Sequence, residues 1–214
     1  MNEPRAFLDG RLVLHAVDCH AWPFGDLEPR KYRAILADPP WRFDCWSGKG
    51  KARSADNHYC TMTIDEIMAL PVTSLAADNC VLFMWTCWPV LQISFRVLDA
   101  WGFNYKTCAF SWMKADPYRL FADEKTPFAG MGYWTRANTE PCLLATRGKP
   151  KRIGADVRQG IISPRREHSR KPDCVHGRIE HLVDGPYLEL FARQSHPGWD
   201  SWGNERTKFD EAAE

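Results

Sequence analysis

Four consecutive residues, Asp38, Pro39, Pro40 and Trp41, set a carboxylate, two proline carbonyls and a large aromatic ring side by side at the end of an apolar run. An exocyclic amine on a heteroaromatic base is a poor nucleophile because its lone pair is delocalised into the ring. Hydrogen bonds from its two N–H groups to the Asp38 carboxylate and the Pro39 carbonyl would favour a pyramidal nitrogen with a free lone pair. No base need act before attack on a methyl donor, since the proton leaves after the new bond has formed. Proline suits the task because it fixes the backbone and brings no competing N–H. Trp41 is expected to stack on the base, which must be single-stranded or flipped out of a duplex to be reached. The plain structural alternative is a rigid turn carrying a core tryptophan.

These residues need a sheet to hold them. Residues 32–37 (YRAILA) read as a short buried strand that the two prolines stop. Residues 47–57 (SGKGKARSADN) read as a mobile loop. Thr63 with Glu66 forms a capping box for a helix through Leu70, ended by Pro71. Residues 80–85 (CVLFMW) are apolar throughout, as in a strand buried on both faces of a parallel sheet. Residues 90–101 have helical spacing and close at Gly102. Strands are also expected over 107–113, 141–146 and 188–192, the last taken as the final strand. An irregular stretch fills 114–136, and Pro172 is placed to open a helix that ends before Gly185. Strands alternating with helices imply an α/β sandwich with a mostly parallel sheet and helices on both faces, whose ligands bind at the carboxyl ends of the strands.

The chain has 214 residues, a length that suits a single domain over 1–214. A net charge of +1 conceals a basic stretch holding Arg147, Lys149, Lys151, Arg152, Arg158, Arg165, Arg166, Arg170 and Lys171. Such a stretch on a near-neutral chain suggests a polyanion touched at one place, with a solvated loop as the alternative. The eight cysteines show no CxxC spacing and read as reduced thiols. Cys174, His176 and His181 come nearest to a metal cluster, but they fall within the expected helix and lack a second ligand pair, so no metal is implied. No leader and no apolar run of membrane-spanning length is visible, so a soluble, cytoplasmic protein is expected.

ILADPPW at 35–41, HYCTM at 58–62, VLFMW at 81–85, GYWTRANTEPCLLATRGKP at 132–150, REHSRKPD at 166–173, and YLELFAR followed by PGWDSWGNE together resemble the MT-A70 family of adenine N6 methyltransferases. The resemblance runs from about Val13 to Glu205, and the 132–150 and 166–173 blocks look more like its bacterial and phage branch, which favours DNA as the substrate. It implies a Rossmann-like S-adenosylmethionine-dependent methyltransferase in permuted order, with the catalytic strand first and the cofactor strand last. The family lacks a GxG loop, and none follows Phe191 here.

On that resemblance Asp38 also approaches the cofactor's ammonium, Lys171 meets its carboxylate, and Arg193, Asn204 and Glu205 lie around its ribose and adenine. Asp18 and Cys19 look like the pair that contacts the cofactor's adenine, and Tyr59 helps shape the substrate adenine pocket. The chemistry of the cofactor agrees, since it requires one cation, one anion and amide-type donors. Glu189 is expected to accept from a ribose hydroxyl. Lys49, Lys51, Arg53, Arg165 and Arg166 are the candidates for phosphate contacts. Trp199 and Trp202 are read as core or pocket wall.

Two rival readings stand beside this one. RNA is the alternative polymer, and a non-catalytic nucleic-acid-binding scaffold is the alternative class. A dead relative would be expected to lose the acidic or aromatic member of the tetrapeptide, and both are present. A methylase of cytosine N4 or of a protein glutamine would carry Ser or Asn at position 38. Target sequence is not readable, and oligomeric state is open, a homo-oligomer included.

Overall fold

Seven strands and three helices make up the computed structural model, which describes residues 22–42, 61–115, 134–167 and 170–210. The elements run β1 (Tyr32–Ala37), α1 (Ile64–Ala69), β2 (Ala76–Trp85), α2 (Leu91–Ala100), β3 (Asn104–Ala115), β4 (Thr139–Arg147), β5 (Gly160–Pro164), α3 (Cys174–Leu182), β6 (Tyr187–Leu190) and β7 (Trp199–Trp202). One sheet takes the order β5-β3-β4-β2-β1-β6-β7. Neighbours pair in parallel except where β4 meets β2 and β3, so β4 alone runs against the rest.

Two cores explain the unbroken apolar runs in the central strands. Successive side chains of a strand point to opposite faces. Ile35, Ala37, Leu82, Met84, Leu188 and Leu190 therefore pack on one side with Ile67 of α1 and Val97 and Leu98 of α2. Ala34, Leu36, Val81, Phe83 and Trp85 pack on the other with Val175 and Ile179 of α3. A central strand of this kind has no wet face, so it has no polar alternation. Helices thus cover both faces of a mostly parallel sheet, in agreement with the expected Rossmann-like class.

Local signals behave as their chemistry requires. The Thr63 side chain accepts from the Glu66 N–H while the Glu66 carboxylate accepts from the Thr63 N–H, so the capping box starts α1. α2 stops at Trp101, and Gly102 follows with φ +75°. β2, β3 and β4 extend beyond their apolar centres, because ladder pairing carries polar residues with it. Cys80, Cys87, Cys108, Cys142 and Cys174 are free thiols among the described residues. Burial pushes the Cys80 thiol up to about 12.

Three expectations are corrected. The strand at 188–192 is shorter, and it is not the last: β7 follows, with the polar sequence WDSW, and pairs with β6 on the sheet edge. The basic stretch is not one loop, since β5 lies inside it. Gly160 and Pro164 bound β5, and as an edge strand it needs no long apolar run. Asp173, not Pro172, caps α3, which places the proline one residue before the cap. The expected loop at 47–57 lies outside the described residues.

Gly148 takes the chain out of β4 at φ +65°, where a Cβ would lie 2.1 Å from the Asp78 carbonyl oxygen. Gly148→Ala is expected to destabilise the fold by about 2 kcal/mol or more, combining left-handed backbone strain with a backbone clash. Urea unfolding monitored by tryptophan fluorescence checks this, and an unchanged midpoint contradicts it.

Candidate active site

β1 and β6 are neighbours, yet the next strand after β1 lies on one side of this pair and the next after β6 lies on the other. Parallel sheets open a crevice at such a switch point, outside the carboxyl ends of the strands. A cleft lies there, lined by Asp38 beyond β1, Glu189 and Phe191 at the end of β6, Trp85 at the end of β2, and residues 170–173 leading into α3.

Asp38 sits at the first backbone position beyond β1, its N–H directed to the Leu190 carbonyl at 3.4 Å. Pro39 accepts the Trp41 N–H at 2.8 Å and Pro40 accepts the Met62 N–H at 3.1 Å, so both carbonyls brace the turn. A carbonyl has a second lone pair, which leaves Pro39 able to accept once more. Lys171 Nζ donates to Asp38 Oδ2 at 2.7 Å and stands 3.6 Å from Glu140 Oε2. Glu140 also pairs with Lys114. The side chains of these four residues are between 16% and 23% exposed, so the charges form an alternating row largely out of water.

The electrostatics follow from that placement. Burial pushes the Asp38 carboxyl up, the adjacent Lys171 ammonium opposes the rise, and Glu140 and Glu189 add to it. Burial also works to raise Glu140, but Lys171 and Lys114 together outweigh it and hold that carboxyl below the ordinary range.

Trp41 is not an open stacking face. Its ring is 6% exposed within the core that also holds Ile67 and Trp101. Its indole N–H donates to the Trp85 carbonyl at 3.0 Å. A ring closed in this way has no free face to offer a base.

The rest of the cleft is built from β6 and the turn after β7. Glu189 bonds His176 at 2.8 Å, and the His176 and His196 rings stack at 4.2 Å. Burial and then the His176 charge lower the His196 pKa. Phe191 leaves β6 at φ +61°, so a non-glycine residue takes the left-handed backbone conformation at the end of this strand. Arg193 bonds Glu205 at 3.0 Å, and the Arg170 and Arg193 guanidinium groups lie over the Phe209 ring at 4.9 and 4.8 Å.

Asp38, Lys171, Glu189 and Arg193 therefore share one cleft. Glu205 joins it through Arg193, whereas Asn204 is exposed on the turn after β7. Asp18, Cys19, Lys49, Lys51, Arg53 and Tyr59 lie outside the described residues. Arg165 is exposed beyond β5. Arg166 is not held out as a phosphate grip: it bonds both Asp173 carboxylate oxygens at 2.6 and 2.7 Å and the Lys171 carbonyl at 2.8 Å. It steadies the segment that carries Lys171. Trp199 is core, with its N–H on Glu180 at 2.7 Å.

Sequence reasoning did not single out Lys114, Glu140, His196 or Phe209, and named Arg170 only within the basic stretch and His176 only beside Cys174 and His181. Glu140 lies within the 132–150 block, and nothing in its type sets it apart from any other acid at the start of a strand. His176 falls within the expected helix, and nothing local shows that its ring meets Glu189.

Sheet order and cleft define a Rossmann-like α/β protein with a ligand crevice at its switch point. The chain belongs to the MT-A70 family, whose model matches residues 32–205. It is 36% identical over 200 residues to the type II methyltransferase M.MunI of Mycoplasma sp, covering 85% of this chain and 81% of that one. It is 30% identical over 181 residues to the N(6)-adenosine-methyltransferase MT-A70-like protein of Arabidopsis thaliana, covering 81% of this chain and 24% of that one. Against the N(6)-adenine-specific methyltransferase METTL4 of Homo sapiens, identity is 28% over 190 residues, 84% of this chain and 38% of that one. Among the described residues no helix is long and apolar enough to cross a membrane.

Two variants test the structural assignments. Trp41→Ala is expected to cost about 3 kcal/mol or more, the range for emptying a buried tryptophan site. A solvent-facing stacking residue would leave the urea midpoint in place. Arg166→Ala is expected to cost on the order of 1 kcal/mol, discounted for the exposure of the pair. An unchanged midpoint joined to a weaker salt dependence of nucleic-acid binding would instead return Arg166 to the phosphates.

Proposed function

We propose that the chain is a single-domain methyltransferase that transfers the methyl group of S-adenosylmethionine to the N6 amine of adenine in DNA. The observation that carries this reading is a largely buried carboxylate, Asp38, held beside Lys171 just beyond the carboxyl end of β1, on a turn whose two proline carbonyls accept from Trp41 and Met62. Similarity to a type II methyltransferase across most of both chains favours DNA over RNA.

The donor set of the cleft fits this cofactor. An amino acid moiety calls for a cation and an anion, supplied by Lys171 and Asp38. A ribose diol calls for an acceptor such as Glu189. Arg170 Nε is buried with no hydrogen-bond partner among the described residues, an orphan donor in the wall of the cleft. Buried donors of this kind are satisfied by a ligand or water.

When bound, the cofactor supplies an electrophilic methyl group on its sulfonium. The protein's own work is positioning and electrostatics. Asp38 and the Pro39 carbonyl accept the amine hydrogens and leave the nitrogen lone pair free to face the methyl. The proton lost after transfer has Asp38 as its nearest acceptor, and burial raises the proton affinity of that carboxyl. The core position of Trp41 gives it a different part: it packs the turn that fixes Asp38, in place of the stacking role read from the sequence.

Incubation with methyl-labelled S-adenosylmethionine and matched DNA and RNA oligonucleotides is expected to label N6 of adenine in DNA. Label confined to RNA, or to cytosine, would overturn the substrate. Asp38→Ala is expected to lower turnover by at least about 100-fold, because a charge-assisted bond used in the transition state is lost. Near wild-type turnover would remove Asp38 from the mechanism.

A further inference from the structure

The row Lys114, Glu140, Lys171, Asp38 holds one more charge pair than the proposed chemistry uses. Asp38 and Lys171 already neutralise each other at 2.7 Å. Glu140 sits at the start of β4, opposite Trp112 of β3, and takes a hydrogen bond from Lys114, whose ammonium lies 5.1 Å from the centre of the Trp112 ring. Taking a carboxylate out of water costs several kcal/mol per ion. If Glu140 served only as a partner for Lys114, the two could have met at the surface. Instead Glu140 stands 3.6 Å from the ammonium that covers Asp38.

That ammonium is in the way. A carboxylate fully paired with a cation is a weaker acceptor, and the proposed reaction needs Asp38 to accept from an amine. Lysine carries three donors on a flexible stem. A shift on the order of 1 Å turns its 3.6 Å contact with Glu140 into a hydrogen bond. The Trp85 ring, whose centre is 5.6 Å from Nζ, flanks both positions.

We infer that Glu140 is a positioning residue that provides a second seat for the Lys171 ammonium, so that Asp38 is released to accept the adenine amine while the ammonium stays neutralised within the protein and keeps its other N–H donors for the cofactor carboxylate. The inference rests on Asp38 being the amine acceptor. Glu140 never touches substrate in this scheme; it acts through Lys171. Lys114 fixes the seat by holding the other carboxylate oxygen. Asp38 is faced by Lys171 from the segment before α3, by Glu140 from β4 and by Glu189 from β6.

Glu140→Gln keeps the shape and an oxygen acceptor for Lys114 but removes the charge. Turnover at saturating cofactor and DNA is expected to fall about tenfold or more, the size of one mis-set charge-assisted hydrogen bond. Cofactor affinity, measured separately by calorimetry, is expected to change less than threefold. Glu140→Asp, which keeps the charge, is expected to recover most of the turnover. A readout independent of activity is the titration of the Asp38 carboxyl in the free protein, followed by carbon-13 NMR. The Glu140 charge opposes ionisation of Asp38, so its loss moves the Asp38 midpoint to lower pH, and Glu140→Asp brings it back.

An unmoved Asp38 midpoint, or wild-type turnover in Glu140→Gln, overturns the inference. Equal loss of turnover in the Gln and Asp variants with no recovery marks a merely structural role and overturns it too. If Glu140→Gln does not fold, Glu140→Ala takes its place in the same turnover, calorimetry and titration measurements, and the same outcomes support or overturn the inference. Failure of the wild type to methylate DNA adenine counts against the substrate reading alone, since the NMR titration still decides the role of Glu140.

Discussion

A carboxylate can be a strong, oriented hydrogen-bond acceptor only where water does not compete for it, and removing it from water demands a nearby cation. The Asp38–Lys171 pair embodies that constraint, and much of the architecture serves it. β1 ends at Asp38 because two prolines prevent further pairing. The segment carrying Lys171 is tied by Arg166 to Asp173, so the ammonium arrives from a braced backbone. Trp85 and Trp41 wall the neighbourhood, the second joined to the carbonyl of the first. Low dielectric strengthens a satisfied network and penalises a broken one, so these supports act together.

The sheet supplies the geometry that side chains alone could not. β1 and β6 lie in parallel register, with Ala37 beside Leu190, so Asp38 and Glu189 come to one end of the sheet although about 150 residues of sequence separate them. Alternation along β6 turns Leu188 and Leu190 to the α1 and α2 side, while Tyr187 packs with the α3 side. Glu189 is thereby delivered to His176 of α3. The chain then turns sharply at Phe191, against Trp202 at a ring distance of 5.5 Å.

What the sequence made legible had a local cause. Two prolines after an apolar hexapeptide stop a strand wherever it lies, and Thr63 with Glu66 caps a helix by contacts three residues apart. The DPPW tetrapeptide stands out because its residue types suggest a chemistry, and Lys171 because the family resemblance pointed to it. β5 and β7 were not, because an edge strand is defined by its neighbour and carries little apolar signal of its own. The burial of Trp41 was not legible for a related reason: a tryptophan's type does not say whether its face is open, and here the ring packs in the core with Ile67 of α1 and bonds the carbonyl of Trp85 in β2. Glu140 and His176 escaped because their meaning lies in partners reached through topology. Arg166 looked like its basic neighbours until Asp173 folded against it.

β4 is the sheet's single reversed strand, and its direction reaches beyond hydrogen bonding. Running against β2 and β3, it begins where they finish, with Thr139 beside Met113 and Cys142 beside Trp85. The Lys114 N–H closes the base of this pair on the Asn138 carbonyl at 2.8 Å. Both anchors stand at the end of the sheet where Trp85 lines the cleft. Closure entropy grows only slowly with loop length, each doubling adding about 0.6 kcal/mol. A change in the length of chain between the anchors therefore costs little, and the ladders on either side of β4 keep their register. The reversed strand sets both ends of that connection at one end of the sheet, the end where β2 finishes in Trp85.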